Sequence, residues 1–181
     1  LFSFRSLLDE ARNELAEIIA SEHGKTKSDA RGEVQRGLET VEFACGIPQL
    51  LKGDHSVQVS TGIDLTSVRE PLGVVACITP FNFPAMVPLW MIPIAIACGN
   101  TVVLKPSEKD PSTANRLAEL FARAGLPNAV LHVLHGARIA EERLIEPPAL
   151  VALRFVGSTP LATALPSTCV LPRPPSRPPR G

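Results

Sequence analysis

No net charge is carried by this chain of 181 residues: 18 basic side chains are matched by 18 acidic ones. That removes the basic field a nucleic-acid binder needs and any polybasic membrane patch. Only four cysteines occur (Cys45, Cys77, Cys98, Cys169), widely spaced and without a C-x-x-C pair. Such spacing argues against a disulfide scaffold and for reduced thiols in the cytoplasm, or in the mitochondrial matrix for a eukaryotic source. The Gly-x-Gly-x-x-Gly phosphate-binding fingerprint is absent, as are an initiator Met and a signal-peptide pattern. The pair His132 and His135 would point to opposite faces of a strand, so no metal site is expected. What is present is core: hydrophobic residues make up 45% and charged residues 20%. Fibrous, coiled-coil and fully disordered classes are thereby excluded.

One stretch, Leu72 to Leu104, holds no charged residue, and about 20 apolar residues suffice to span a membrane. Pro80, Pro84, Pro88 and Pro93 interrupt it, each costing about 3 kcal/mol in a helix interior, and Gly99-Asn100 marks a turn. A buried strand, a turn and a core helix are the expected reading, not a membrane span.

Around that stretch the elements fall in order. Apolar residues at Phe4, Leu7, Leu8, Ala11, Leu15, Ile18 and Ile19 predict one helix over 3–23, stopped at Gly24. A second is predicted over 29–45, with Val34, Leu38, Val41 and Cys45 as its stripe and Gly46 and Pro48 as its end. Val57 and Val59, a Ser-Thr-Gly turn, then Ile63 and Leu65 predict a β-hairpin. From Gly73 the pattern becomes strand, helix from about Pro84, strand at 101–104, helix at 112–124, strand at 129–134, helix at 137–145 and strand at 150–156. That alternation predicts an α/β, Rossmann-like doubly wound parallel sheet with right-handed crossovers, preceded by two helices and a hairpin. The organisation expected is a helical segment 1–50, a hairpin 51–72, an α/β domain 73–161 and a disordered Pro/Arg-rich tail 162–181. The tail is either without function or a polyproline ligand.

Parallel sheets bind ligands at the carboxyl ends of their strands, and three such ends carry chemistry. After the first strand, Asn82 is either an amide donor to an oxyanion or a helix cap. After the second, Lys105, Ser107 and Glu108 are either ribose partners or a solvated helix entry. After the fourth, Gly157-Ser158-Thr159 either holds a phosphate at a helix start or does not. No cysteine has a His or Glu placed by sequence to activate it, and His23 and His55 read as surface residues.

Together, Pro80-Phe81-Asn82-Phe83-Pro84, Gly99 to Glu108 (GNTVVLKPSE) and Phe155-Val156-Gly157-Ser158-Thr159 resemble the aldehyde dehydrogenase superfamily over about residues 1–162. Phe81, where most members carry Trp, together with Ser21 to Thr26 (SEHGKT) and Arg36 to Ala44 (RGLETVEFA), resembles the CoA-acylating methylmalonate-semialdehyde branch. The resemblance implies that Asn82 donates to the oxyanion of a thiohemiacetal and that Thr79 and Phe81 line an NAD cleft. It implies that Lys105 and Glu108 hold the adenosine ribose, with Ser107 and Lys109 beside them, and that Ser158 meets the pyrophosphate. Arg36 matches a family Arg suited to a substrate carboxylate, its alternative being an ion pair with Glu33 or Glu39. The implied reaction oxidises methylmalonate or malonate semialdehyde, passes hydride to NAD and releases the acyl group to CoA with loss of CO2. A hydrolytic aldehyde dehydrogenase and a catalytically dead nucleotide-binding or assembly fragment are the alternatives. The resemblance implies a nucleophilic Cys well downstream of the Gly-Ser-Thr turn, beyond the last residue of this chain, and no thiol here takes its place. The expected reading is therefore a partial chain, a fragment or frameshift product, inactive alone, whose full-length form is a homo-oligomer.

Overall fold

The computed structural model describes residues 1–159; the Pro/Arg-rich segment 162–181 and Cys169 lie outside the described residues. Four helices come first: α1 (Phe2–Glu10), α2 (Arg12–His23), α3 (Lys27–Cys45) and α4 (Ile47–Leu50). The hairpin follows as β1 (His55–Ser60) and β2 (Ile63–Thr66). Then come β3 (Val74–Ile78), α5 (Met86–Ala97), β4 (Thr101–Lys105), α6 (Ser112–Arg123), β5 (Leu131–Val133), α7 (Arg138–Leu144) and β6 (Leu150–Phe155).

The sheet is parallel with order β5-β4-β3-β6. The chain therefore winds outward from β3 through β4 to β5, then returns past its start to place β6 on the other side. Alternation along β3 separates two cores. Val75 and Cys77, with Val102 and Leu104 of β4, join one cluster with α1, α2, α3, α5 and α6. Ala76 and Ile78 face Leu144, Ile145 and Leu150 in a second cluster beneath α7. Strands buried on both faces carry apolar residues without alternation, which is why β3 and β4 read as continuous runs.

Local departures from the sequence reading have physical causes. The predicted first helix turns at Ala11, although Ala11 still donates to Leu7 and accepts from Leu15. Helix α3 ends at Cys45 with Gly46 as its cap, as expected, but a further short helix follows, and Pro48 enters the first turn of this α4, where a missing N–H costs nothing. The stripe of α3 buries Ala44, and Cys45 is only half-buried. Strand β5 is shorter than predicted because Ala129 sits at φ 68°, a left-handed conformation no strand residue adopts. Helix α5 begins two residues past Pro84, for a reason given below. It is apolar all round but only 12 residues long. Among the described residues no helix is long and apolar enough to cross a membrane.

Two contacts fix the core's geometry. Gly37 lets α3 close on α5: a Cβ there would lie 2.4 Å from Leu89 Cδ1. Asn100, just before β4, accepts from the amides of Leu72 (2.8 Å) and Gly73 (3.0 Å) and donates to the Ala95 carbonyl. Its side chain thus ties the entry of β3 to that of β4. The hairpin stands apart in exposure: Val57, Val59, Ile63 and Leu65 are all more than half exposed.

Candidate functional site

Order reversal in an open sheet leaves a crevice where the connections diverge. Here it lies between β3, whose chain turns towards α5, and β6, reached through α7 on the opposite face. Ladder bonds run to the very ends of the strands: Thr79 N–H donates to the Lys105 carbonyl and Val156 N–H to that of Ile78, both at 3.1 Å. The three loops consequently leave from one level, and a cleft of about 540 Å³ opens above them. Thr79, Phe81 and Asn82 line it from the β3 loop; Lys105, Ser107, Glu108 and Lys109 from β4; and Gly157 and Ser158 from β6. Eight residues singled out from sequence as catalytic or cofactor-binding thus share one cavity. Arg36 stands outside it.

The loops after β3 and β4 are locally fixed. The Ser107 hydroxyl accepts from Lys109 N–H at 3.1 Å, an ST-type turn that aims residues 107–109 into the cleft. The Glu108 carboxyl lies below its ordinary pKa, chiefly because its own main-chain amide donates to it, with Lys105 assisting. Phe81 is stacked on His23 with ring centroids 4.5 Å apart, and Lys109 lies 5.6 Å from the Phe81 centroid. His23 is therefore not a surface residue as expected; it is half-buried. Burial, then the charge of Lys25, lowers its pKa, against the opposing charge of Glu33.

Asn82 is exposed to the cleft, and its side-chain amide holds no hydrogen bond among the described residues. It does not cap α5. That role belongs to Glu33, a fully buried carboxylate on α3 whose Oε1 accepts from the amides of Ala85 (2.8 Å) and Met86 (3.1 Å). These bonds hold the first turn after Pro84 to α3, so regular helix starts only at Met86. The other oxygen, Oε2, accepts from Lys25 Nζ at 2.6 Å, and Lys25 also donates to the Asn82 carbonyl at 2.8 Å.

Arg36 makes neither ion pair considered for it. Glu33 is committed as above and Glu39 accepts from Gln35. Arg36 Nε contacts Met86 Sδ at 3.2 Å and the guanidinium lies 5.9 Å from the Phe83 centroid. It borders a pocket of about 460 Å³ together with Asn82 and Phe83, so Asn82 lines both this pocket and the main cleft.

Sequence reasoning missed Glu141, Glu33 and Asp110. Glu141, on α7, enters the cleft and accepts from Lys105 Nζ at 2.7 Å. Asp110 is buried beneath the loop after β4, and among the described residues neither carboxylate oxygen has a partner in good hydrogen-bonding geometry. Burial pushes its pKa up to about 7 against the pull of the nearby Ser107 hydroxyl, and the charges of Glu22 and Glu33 push the same way. Glu33 and Asp110 carried no usable signal, because an acidic residue in a polar-looking helix or loop reads as surface. No thiol lines the cleft among the described residues. Cys77 lies within β3, its pKa pushed up to about 11 by burial.

Comparison with known proteins places this geometry. The chain is 55% identical over 162 residues to the malonate-semialdehyde dehydrogenase of Pseudomonas aeruginosa, covering 90% of this chain and 33% of that one. It superposes with a TM-score of 0.90 on the crystal structure of methylmalonate-semialdehyde dehydrogenase from Oceanimonas doudoroffii, at 53% identity. The same score, at 50% identity, is found with a candidate methylmalonate-semialdehyde dehydrogenase of Sinorhizobium meliloti 1021 solved in complex with NAD. Each superposition covers 92% of this chain and 34% of the other. The chain thus spans about a third of the length of the relatives it matches. The model of the aldehyde dehydrogenase family matches residues 1–170, running past Ala162 into the Pro/Arg-rich segment, and the chain belongs to that family.

Proposed function

We propose that this chain is the cofactor-binding part of an NAD-dependent, CoA-acylating dehydrogenase of methylmalonate or malonate semialdehyde. The observation that carries the reading is the convergence of the loops after β3, β4 and β6 on one cleft, with an unengaged Asn82 amide at its edge. The donor set fits a dinucleotide. Lys105 and Glu108 offer a donor and an acceptor to ribose hydroxyls, and the Ser107 hydroxyl lies beside them. At the other wall Ser158 offers a hydroxyl at the sheet's carboxyl edge to a pyrophosphate. NAD, when bound, supplies a hydride acceptor.

The chain's own residues then have distinct tasks. Thr79 and Phe81 form the wall of the cleft, and the His23 ring stacked behind Phe81 keeps that wall flat. The Asn82 amide donates to the oxygen that becomes an oxyanion when a thiolate adds to the aldehyde carbonyl. A preorganised amide of this kind contributes about 3–4 kcal/mol to such a step. Arg36, with no carboxylate partner among the described residues, is the group suited to the carboxylate of a semialdehyde acid, and the pocket it shares with Asn82 supports that role. Release of the acyl group to CoA completes the proposed reaction, and assembly through the hairpin its proposed oligomeric setting.

The test is titration of the 181-residue chain with NAD and NADP. NAD should bind more tightly, and Glu108→Ala should weaken it by about tenfold, as loss of one hydrogen bond to a charged group does. Tighter binding of NADP, or no binding of either, overturns the cofactor reading.

A further inference from the structure

Lys105 is the last residue of β4 and is 2% exposed, yet its ammonium is flanked by two carboxylates. Glu141 Oε1 lies 2.7 Å from Nζ, and Glu108 Oε2 lies 3.5 Å away. The two acids differ in kind. The Glu108 side chain is half exposed and follows β4 directly; the Glu141 side chain is 11% exposed and comes from α7, the helix that crosses to β6. On α7 the buried positions are Glu141 and Leu144, so the carboxylate occupies a place where an apolar side chain would pack without desolvation cost. A charge held there persists only because Lys105 meets it. Its other neighbour is the cleft itself.

We infer that Glu141 is a specificity residue of the adenosine end of the cleft, selecting a nucleotide with a free ribose 2′-hydroxyl against one bearing a 2′-phosphate. The inference rests on the nucleotide reading above. Lys105 alone would attract a 2′-phosphate. With Glu141 in contact and Glu108 nearby, the trio carries a formal charge of −1, and the ammonium's attraction is already spent within the protein. A phosphate monoester bringing −1.5 to −2 meets net repulsion in a poorly solvated corner, where like charges are least screened. A hydroxyl meets only hydrogen-bonding groups: the carboxylates accept from it, and a Lys105 N–H not used by Glu141 donates to it. Glu141 also fixes the direction of that remaining N–H, because its short bond sets the rotation of the ammonium.

The experiment compares 5′-AMP with adenosine 2′,5′-bisphosphate, and NAD with NADP, by calorimetric titration of the full 181-residue chain. The variants are Glu141→Gln, which keeps shape and an acceptor but removes charge, and Glu141→Asp, which keeps charge. The wild type should favour the ligands without the 2′-phosphate. Glu141→Gln should narrow that preference by about tenfold, mainly through tighter binding of the phosphorylated ligands, as removal of a facing like charge does. Glu141→Asp should retain most of the preference. Circular dichroism melts establish folding, and Glu141→Met serves in place of Glu141→Gln if that variant does not fold. An unchanged ratio in an uncharged variant that still binds NAD overturns the role of Glu141 and leaves the nucleotide reading standing. A wild-type chain that binds none of the four ligands overturns both.

Discussion

Lys25 holds the main chain of Asn82 and the carboxylate of Glu33 at once, through bonds of 2.8 Å and 2.6 Å from a single ammonium. Glu33 in turn binds the amides of Ala85 and Met86, so both ends of the 82–86 turn hang from one ion pair rooted on α3. Removal of one partner from a buried pair costs about 3–5 kcal/mol. Glu33→Ala should therefore lower stability by that order, leaving two amides unpaired and the Lys25 ammonium with the Asn82 carbonyl but no counter-charge. Lys25→Met should cost less, since Glu33 keeps both amides. Urea unfolding of the chain measures both, and a larger loss for Lys25→Met than for Glu33→Ala would contradict this account.

These contacts show where sequence reading reaches its limit. Strands β3 and β4 were legible because burial on both faces leaves an uninterrupted apolar run, and the order of elements then placed residues 79–82, 105–109 and 157–158 at one edge. Contacts between Glu33 and Ala85, 52 residues apart, and between Lys105 and Glu141, 36 apart, have no local signature. A fully buried charge is invisible to periodicity, which counts it as a polar face. His23 was misread for the same reason: its stacking partner Phe81 lies on another element. The short helix α4 had no signal of its own, because proline opens helices as readily as it closes them.

Asp110 makes stability depend on pH with an unusual sign. Its folded pKa, about 7, lies above the ordinary aspartate value, raised by burial first and by the charges of Glu22 and Glu33. The folded state therefore holds a proton that the unfolded chain has already lost. Stability from this group is fully present below about pH 4, the unfolded pKa. It falls as pH rises towards 7, because the unfolded state then binds fewer protons. Asp110→Asn should remove this slope, raising the melting temperature by at least ~2 °C at pH 8.5 and changing it far less at pH 5. Calorimetric melts at the two values check it; equal shifts at both would assign the effect to packing rather than to the proton.

Four apolar side chains of the hairpin, Val57, Val59, Ile63 and Leu65, are exposed together, and a two-stranded ribbon is not stable alone. Unpaired strand edges and an apolar surface seek partners. The chain should self-associate at micromolar concentration, and Val59→Lys with Ile63→Lys should shift it towards monomer without lowering its melting temperature. Light scattering coupled to gel filtration distinguishes the cases, and a monomeric wild type removes the hairpin as an assembly element.

Hydride transfer in the proposed reaction requires a tetrahedral adduct between a thiolate and the aldehyde, formed within reach of Asn82. The described thiols do not provide it. Cys77 is sealed in β3, and with its pKa at about 11 less than about one thiol in a thousand is ionised at neutral pH. Cys45 follows Ala44 at the end of α3, where only half-burial exposes it, and Cys98 lies beyond α5 in a pocket with Arg69 and Asn100, apart from the cleft. Bringing Cys77 or Cys45 to Asn82 would require breaking the strand or helix that carries it, and Cys98, at the C-cap of α5, lines a different pocket. A nucleophile not held in place forgoes the ~7–11 kcal/mol that a fixed geometry contributes. The purified 181-residue chain should accordingly form no NADH from malonate or methylmalonate semialdehyde with NAD and CoA, even where it binds NAD. Absorbance at the NADH band is the measurement. Turnover that survives Cys77→Ser, Cys45→Ser and Cys98→Ser but vanishes in Cys169→Ser would show that the segment beyond Thr159 delivers a thiol to Asn82, and would overturn the reading of this chain as a cofactor-binding part alone.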